Sequence, residues 1–154
     1  MFFIRQSLLP GLMLGIAVLA FGIAPARADG EGLVVKQSDF GLTKTLDRLG
    51  IALERKGIKV FARIDHAKGA KSVGMDMTPT AVIIFGSPKI GTPLMTSNPA
   101  IGLDLPLKAV AWQAADGSVK LAYTDPAVLA KRYGITNRDK VFANIRTGCY
   151  STVS

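Results

Sequence analysis

A single cysteine, Cys149, and a single histidine, His66, stand in a chain of 154 residues. One cysteine cannot close an internal disulfide, and its position near the C-terminus leaves an intermolecular bridge or a plain free thiol. A lone histidine with no second histidine and no neighbouring cysteine does not make a standard zinc site. No Gly-x-Ser-x-Gly elbow and no phosphate-loop spacing occurs, so two common catalytic frameworks are excluded. The chain also lacks internal repeats, low-complexity tracts and runs of like charge. Its acidic residues are outnumbered, 11 against 19 basic ones, for a net charge of +8.

What is present begins with the N-terminus. Arg5 precedes an almost uncharged apolar run from Leu8 to Ala24, which ends in Ala26-Arg27-Ala28-Asp29. A short basic region, an apolar region and a small-x-small site predict a secretory signal peptide over residues 1–28, cleaved after Ala28. The apolar run is near the lower limit of about 17 residues for a membrane-spanning helix, so the alternative is an uncleaved anchor. No twin arginine and no lipid-acceptor cysteine follows. The expectation is therefore an exported, non-lipidated protein without a membrane span after cleavage, periplasmic if its source is Gram-negative. Removing residues 1–28 from the 154 leaves 126, one ordinary domain, with the charge falling to +6 because Arg5 and Arg27 leave. Behind an export signal, that scattered charge suits solubility or an acidic envelope surface, and nucleic acid is not an expected partner.

Along the mature chain, Leu33 to Gln37 read as a strand and Ser38-Asp39 as a helix N-cap. Leu42, Leu46, Leu49 and Leu53 then fall on one face of an amphipathic helix that Gly57 closes. Gly50 weakens that helix by roughly 1 kcal/mol relative to alanine. Ile58 to Asp65 alternate, with Ile58, Val60, Ala62, Ile64 and His66 on one face and Lys59, Phe61, Arg63 and Asp65 on the other. Ala67 to Gly74 suggest at most a helical turn. Thr80 to Phe85 are uniformly apolar and predict a strand buried on both faces. Leu105 to Gln113 and Val119 to Tyr123 form a hairpin about Asp116-Gly117. Asp125-Pro126 starts a short helix ending at Gly134, and Asn137 caps a last helix from Arg138 to about Arg146, with Val141, Phe142 and Ile145 inward. The predicted fold class is α+β: about five strands in a mainly antiparallel sheet, with helices mainly on one face, a β-α-β start, a later hairpin and C-terminal helices.

Between the strands lies Phe85 to Lys108, with four prolines and three glycines. This composition predicts a shaped loop, and its many apolar residues argue against disorder. The motifs Ile64-Asp65-His66, Phe85-Gly86-Ser87-Pro88, Gly91-Thr92-Pro93-Leu94-Met95, Leu103-Asp104-Leu105-Pro106-Leu107-Lys108 and Tyr123-Thr124-Asp125-Pro126 together resemble the bacterial and archaeal "domain of unknown function 302" family. The resemblance runs from about Gly32 to Ile135. It implies a TATA-binding-protein-like α+β fold and no established activity. The family's usual Gly-Asn-Pro is Gly86-Ser87-Pro88 here. The expected organisation is a signal peptide over 1–28, the family domain over 29–135 and a helical tail over 136–154 packed on it.

The candidate site lies between the Asp65-His66 strand end and the Gly91–Lys108 loop. Its expected ligand-binding residues are Asp65, His66, Lys89, Gly91, Thr92, Met95, Asp104 and Lys108. The leading reading is a ligand-binding or interaction module for a small molecule or an envelope protein, leaning away from an enzyme. One alternative is an enzyme on a small anionic substrate, with His66 as acid/base, Asp104 orienting it and Lys108 holding charge. In that loop Asp104 would pair with Lys108 or with backbone N–H groups of a Gly91-Thr92 turn, and the pair equally suits a structural pin. Gly86, Lys89, Gly91 and Thr92 would form at most a weak anion nest. Another alternative is a copper carrier using His66, Met75, Met77 and Met95, set against methionine's ordinary use as core filler; no other cofactor is expected. The remaining sheet face, with Lys59, Phe61, Arg63, Lys108 and Trp112, suggests a homodimer interface or a seat for the tail.

Overall fold

A computed structural model of the protein describes residues 32–149. The predicted signal peptide lies outside the described residues. The leucine stripe forms helix α1, Leu42–Arg55, and buries Leu46, Leu49 and Leu53. Each such leucine contributes about 1.5–3 kcal/mol of burial. The helix starts differently from the expected cap. Gly41 is the N-cap residue and offers no side chain. Ser38 is instead buried, its hydroxyl 2.7 Å from that of Thr45, and Thr45 Oγ1 donates to the Gly41 carbonyl at 3.0 Å. The first turn is thus pinned from inside.

Strands β1 (Leu33–Ser38), β2 (Lys59–Asp65), β3 (Thr80–Gly86), β4 (Leu107–Gln113) and β5 (Val119–Thr124) form one antiparallel sheet in the order β1-β5-β4-β3-β2. The β4–β5 hairpin turns through Gly117, whose φ of 81° needs a residue without a side chain. β1 and β2 are the two edges, and α1 crosses the sheet between them. β3 is buried on one face only: Ala81, Ile83 and Phe85 are covered by helices, while Thr80, Val82 and Ile84 are half-buried on the other. The expectation of burial on both faces is corrected because no layer covers the second one among the described residues.

Alternation along β2 breaks at a bulge. Val60 pairs with Phe85 and Ala62 with Ile84, so Phe61 is the extra residue and the register shifts there. Arg63 consequently opposes the buried Ile83 and reaches α1, where it pairs with Asp47 and donates to the Leu46 carbonyl at 2.9 Å. This removes Arg63 from the open face. It also accounts for Gly50: a Cβ there would sit 2.6 Å from Arg63 Nη2.

The proline-rich stretch is not a loop. Pro88–Ser97 form helix α3 and Pro99–Leu103 a 3-10 turn, followed by a cis Leu105–Pro106 bond and β4, which begins at Leu107 rather than Leu105. Its prolines start helices as much as they stop them. Pro88 and Pro99 occupy first-turn positions behind the caps Ser87 and Asn98, where a missing N–H costs nothing. Leu94 and Ile101 from this stretch are fully buried. Helix α2 covers His66–Ser72, and α4, Pro126–Arg132, follows its predicted Asp125 cap. The last helix, α5, spans Asp139–Cys149 and turns Phe142 and Ile145 inward. Asn137 does not cap it; its Oδ1 accepts from Ser97 Oγ at 3.1 Å.

Candidate functional site

The antiparallel register of β2 and β3 separates the residues that the sequence placed together. Lys59 opposes Gly86 at one end, and Asp65 opposes Ala81 at the other. A strand of seven residues puts those ends about 20 Å apart. Asp65 and His66 therefore lie at the end of the sheet away from the 87–106 segment, and the expected site between them is not formed. Asp65 caps α2, accepting from the Lys68 amide at 2.9 Å. His66 is exposed at the first position of α2.

Asp104 has other partners than those expected. Tyr133 Oη donates to its Oδ2 at 2.7 Å and Arg132 Nη1 at 2.8 Å. Burial pushes the carboxyl up, but the Tyr133 and Arg132 hydrogen bonds outweigh it and hold it below the ordinary carboxylate value. The same contact pushes both Arg132 and Tyr133 up. The role this geometry supports is a latch, and it is one of several. Asn98 Nδ2 donates to the Tyr133 carbonyl at 2.9 Å, and Arg138 Nε to the Pro93 carbonyl at 3.0 Å. Residues 132–138 thus clamp α3 and the 3-10 turn from behind.

The clamped segment walls an apolar cavity of about 270 Å³ at the Gly86 end of the sheet. Gly91 and Met95 of the expected set line it, whereas Lys89 and Thr92 are exposed on α3 outside it. Lining residues outside the expected ligand-binding set include Phe61, Leu105 and Pro106, and Gly86, which was expected only in an anion nest. Phe61 lies over Gly86, where an added Cβ would come within 3.2 Å of the ring, and Pro106 stands on the other side at 3.6 Å. The bulge aims Phe61 there, and no local signal in the sequence announces it. Lys59 Nζ lies 5.7 Å from the Phe61 ring centroid, and Lys108 Nζ donates to the Pro106 carbonyl at 3.2 Å. Two ammonium groups therefore stand at the rim of an apolar hole.

At the opposite end, an open groove of about 1110 Å³ runs between the start of α1, α2 and residues 75–80. Met75 and Met77 line it and are exposed, and it shares no lining residue with the first cavity. Met95 is thus apart from Met75 and Met77, and His66 lines neither space. Among the described residues no three His, Cys, Asp or Glu side chains gather as metal ligands, and no helix is long and apolar enough to cross a membrane.

The model of the family described as domain of unknown function DUF302 matches residues 34–148. The chain belongs to that family. The match continues past Ile135 and takes in α5 up to residue 148. A crystal structure of an uncharacterized conserved DUF302 protein from Bacillus stearothermophilus superposes with a TM-score of 0.72 at 20% identity, covering 80% of this chain and 97% of that one. That likeness shows the shared α+β fold. Curated relatives named Fluoride-specific ion channel FluC 1, from Brucella suis biovar 1 and Brucella abortus biovar 1, are each 43% identical over 105 residues. The match takes in 68% of this chain but 41% and 39% of those proteins, so the chain spans about two fifths of their length.

Proposed function

We propose that this DUF302 chain is an exported, non-catalytic binding module whose site is the apolar cavity beneath Phe61. One observation carries the reading: the cavity, with Gly86, Gly91, Met95 and Pro106 in its lining, is walled almost wholly by apolar atoms. A concave apolar space with a few polar groups at its mouth is the usual form of a small-molecule site. Fluorescence titration with uncharged N-phenyl-1-naphthylamine tests it. Gly91 is helical, and a side chain there extends toward Met95 and Leu105, so Gly91→Leu fills the cavity without straining the backbone. The expected result is binding by the native protein and loss of binding in a Gly91→Leu variant that melts no lower. Equal binding by both proteins removes the reading.

The Brucella relatives favour a second reading, in which the chain serves as a partner of a membrane ion channel. Their shared segment occupies two fifths of proteins named as fluoride channels. Co-purification of this chain with a channel from its own host supports that reading. A fluoride tolerance unchanged by deleting the chain opposes it.

A further inference from the structure

We propose that the Phe61 cavity takes the tail of a single-chain amphipathic carboxylate, with its head group held between Lys59 and Lys108. This rests on the binding-module reading and adds the ligand's chemistry. Lys59 opposes Gly86 and Lys108 opposes Ile84, so the two lysines flank β3 from both sides on the open face, with the Phe61 ring over Gly86 between them. Each is tied to a cavity wall: Lys59 to the Phe61 ring, Lys108 to the Pro106 carbonyl. Among the described residues no aspartate or glutamate lines the cavity. The carboxylate whose field reaches Lys108 is Asp104, and it is already engaged by Tyr133 and Arg132. The rim therefore presents positive charge to a ligand rather than to the protein itself, which selects an anionic head.

The cavity's size selects the tail. At roughly 30 Å³ for a group the size of one water, about 270 Å³ holds about nine methylene-sized groups. That fits one medium-length chain and not the two chains of a phospholipid. A free carboxylate is accordingly favoured over a membrane surface.

The test is competition against N-phenyl-1-naphthylamine on the protein purified from its own host, with decanoate, decanol and phosphatidylglycerol vesicles as competitors. Decanoate is expected to displace the probe at concentrations at least tenfold lower than decanol. In the double variant Lys59→Met/Lys108→Met that advantage is expected to fall below twofold while the probe itself still binds. An advantage that also shrinks with added salt agrees with a charged rim. Equal potency of decanoate and decanol, or an advantage that survives the double variant, overturns the head-group assignment and leaves the cavity reading intact. Failure of the probe to bind the native protein overturns the cavity reading first. Vesicles that outcompete decanoate at matched acyl-chain concentration replace the free carboxylate with a lipid surface.

Discussion

The two ends of the sheet are built on different terms. At the Gly86 end, α3 and the 3-10 turn send Leu94 and Ile101 into the core at zero exposure, and residues 132–138 fasten them with hydrogen bonds. At the Asp65 end, α2 buries nothing, residues 71–79 are all exposed, and Val73, Met75 and Met77 face solvent. Both ends hold a concavity; at the Gly86 end the segment that walls it also buries Leu94 and Ile101, although Phe61 and Met95 on the same walls are exposed. A site braced by a segment that reaches the core loses less freedom on binding than one formed by exposed side chains alone. The proline- and glycine-rich segment is the one that reaches the core.

Five single substitutions sharpen this contrast, in falling order of effect. Ile101→Ala removes a fully buried side chain beside the cavity and is expected to cost about 3 kcal/mol in urea unfolding, with probe binding weakened. A loss under about 1 kcal/mol means that the Gly86 end is not anchored as described. Asp104→Asn weakens the latch by about 1 kcal/mol at pH 7. The folded carboxyl sits below its unfolded value, so its stabilisation is complete above the unfolded value and is lost as pH falls through the folded one. The gap between native and variant is therefore expected to close on acidification below about pH 4. A gap that stays constant to pH 2 removes the charge from the explanation.

Gly50→Ala is expected to change stability little. The gain of about 1 kcal/mol in helix propensity is offset when the new methyl displaces Arg63 from the Leu46 carbonyl. Placed in an Arg63→Ala background, the same change gains the full amount, and a double-mutant cycle reads the difference. Additive behaviour disproves the steric account of Gly50. The smallest effects belong to the exposed end. Met75→Ala and His66→Ala are expected to move stability by no more than about 0.5 kcal/mol and probe binding not at all. Any loss of probe binding there moves the site across the molecule.

Much of the fold was legible because its elements announce themselves locally. The α1 leucines, the Asp116-Gly117 hairpin and the Asp125-Pro126 cap each act within a few residues of their own position. Two of the residues expected at the site, Gly91 and Met95, line the cavity because they sit in a stretch whose composition marks it as special. What failed was anything set by pairing. The bulge at Phe61 leaves the apolar pattern of Ile58 to Ile64 looking regular, yet it moves Arg63 to the helix layer. Nothing local in the sequence carries the end of β2 away from the 87–106 segment; only the antiparallel register with β3 sends Asp65 and His66 there. The helical prolines look like loop residues until Ser87 and Asn98 are placed as their caps.

The sheet order also fixes when this molecule can exist. β1 and β2 are made first, yet neither touches the other; each waits for a partner, β5 and β3 respectively, that is made later. The stretch from Leu33 to Asp65 thus has a helix and two strands that do not pair with each other. Closure comes only when β5 slides in between β1 and β4, bringing together residues about ninety positions apart, as in the pairing of Leu33 with Thr124. Such late, long-range pairing folds slowly and nearly all at once. A chain halted before Val119 therefore holds β1 without the strand it pairs with.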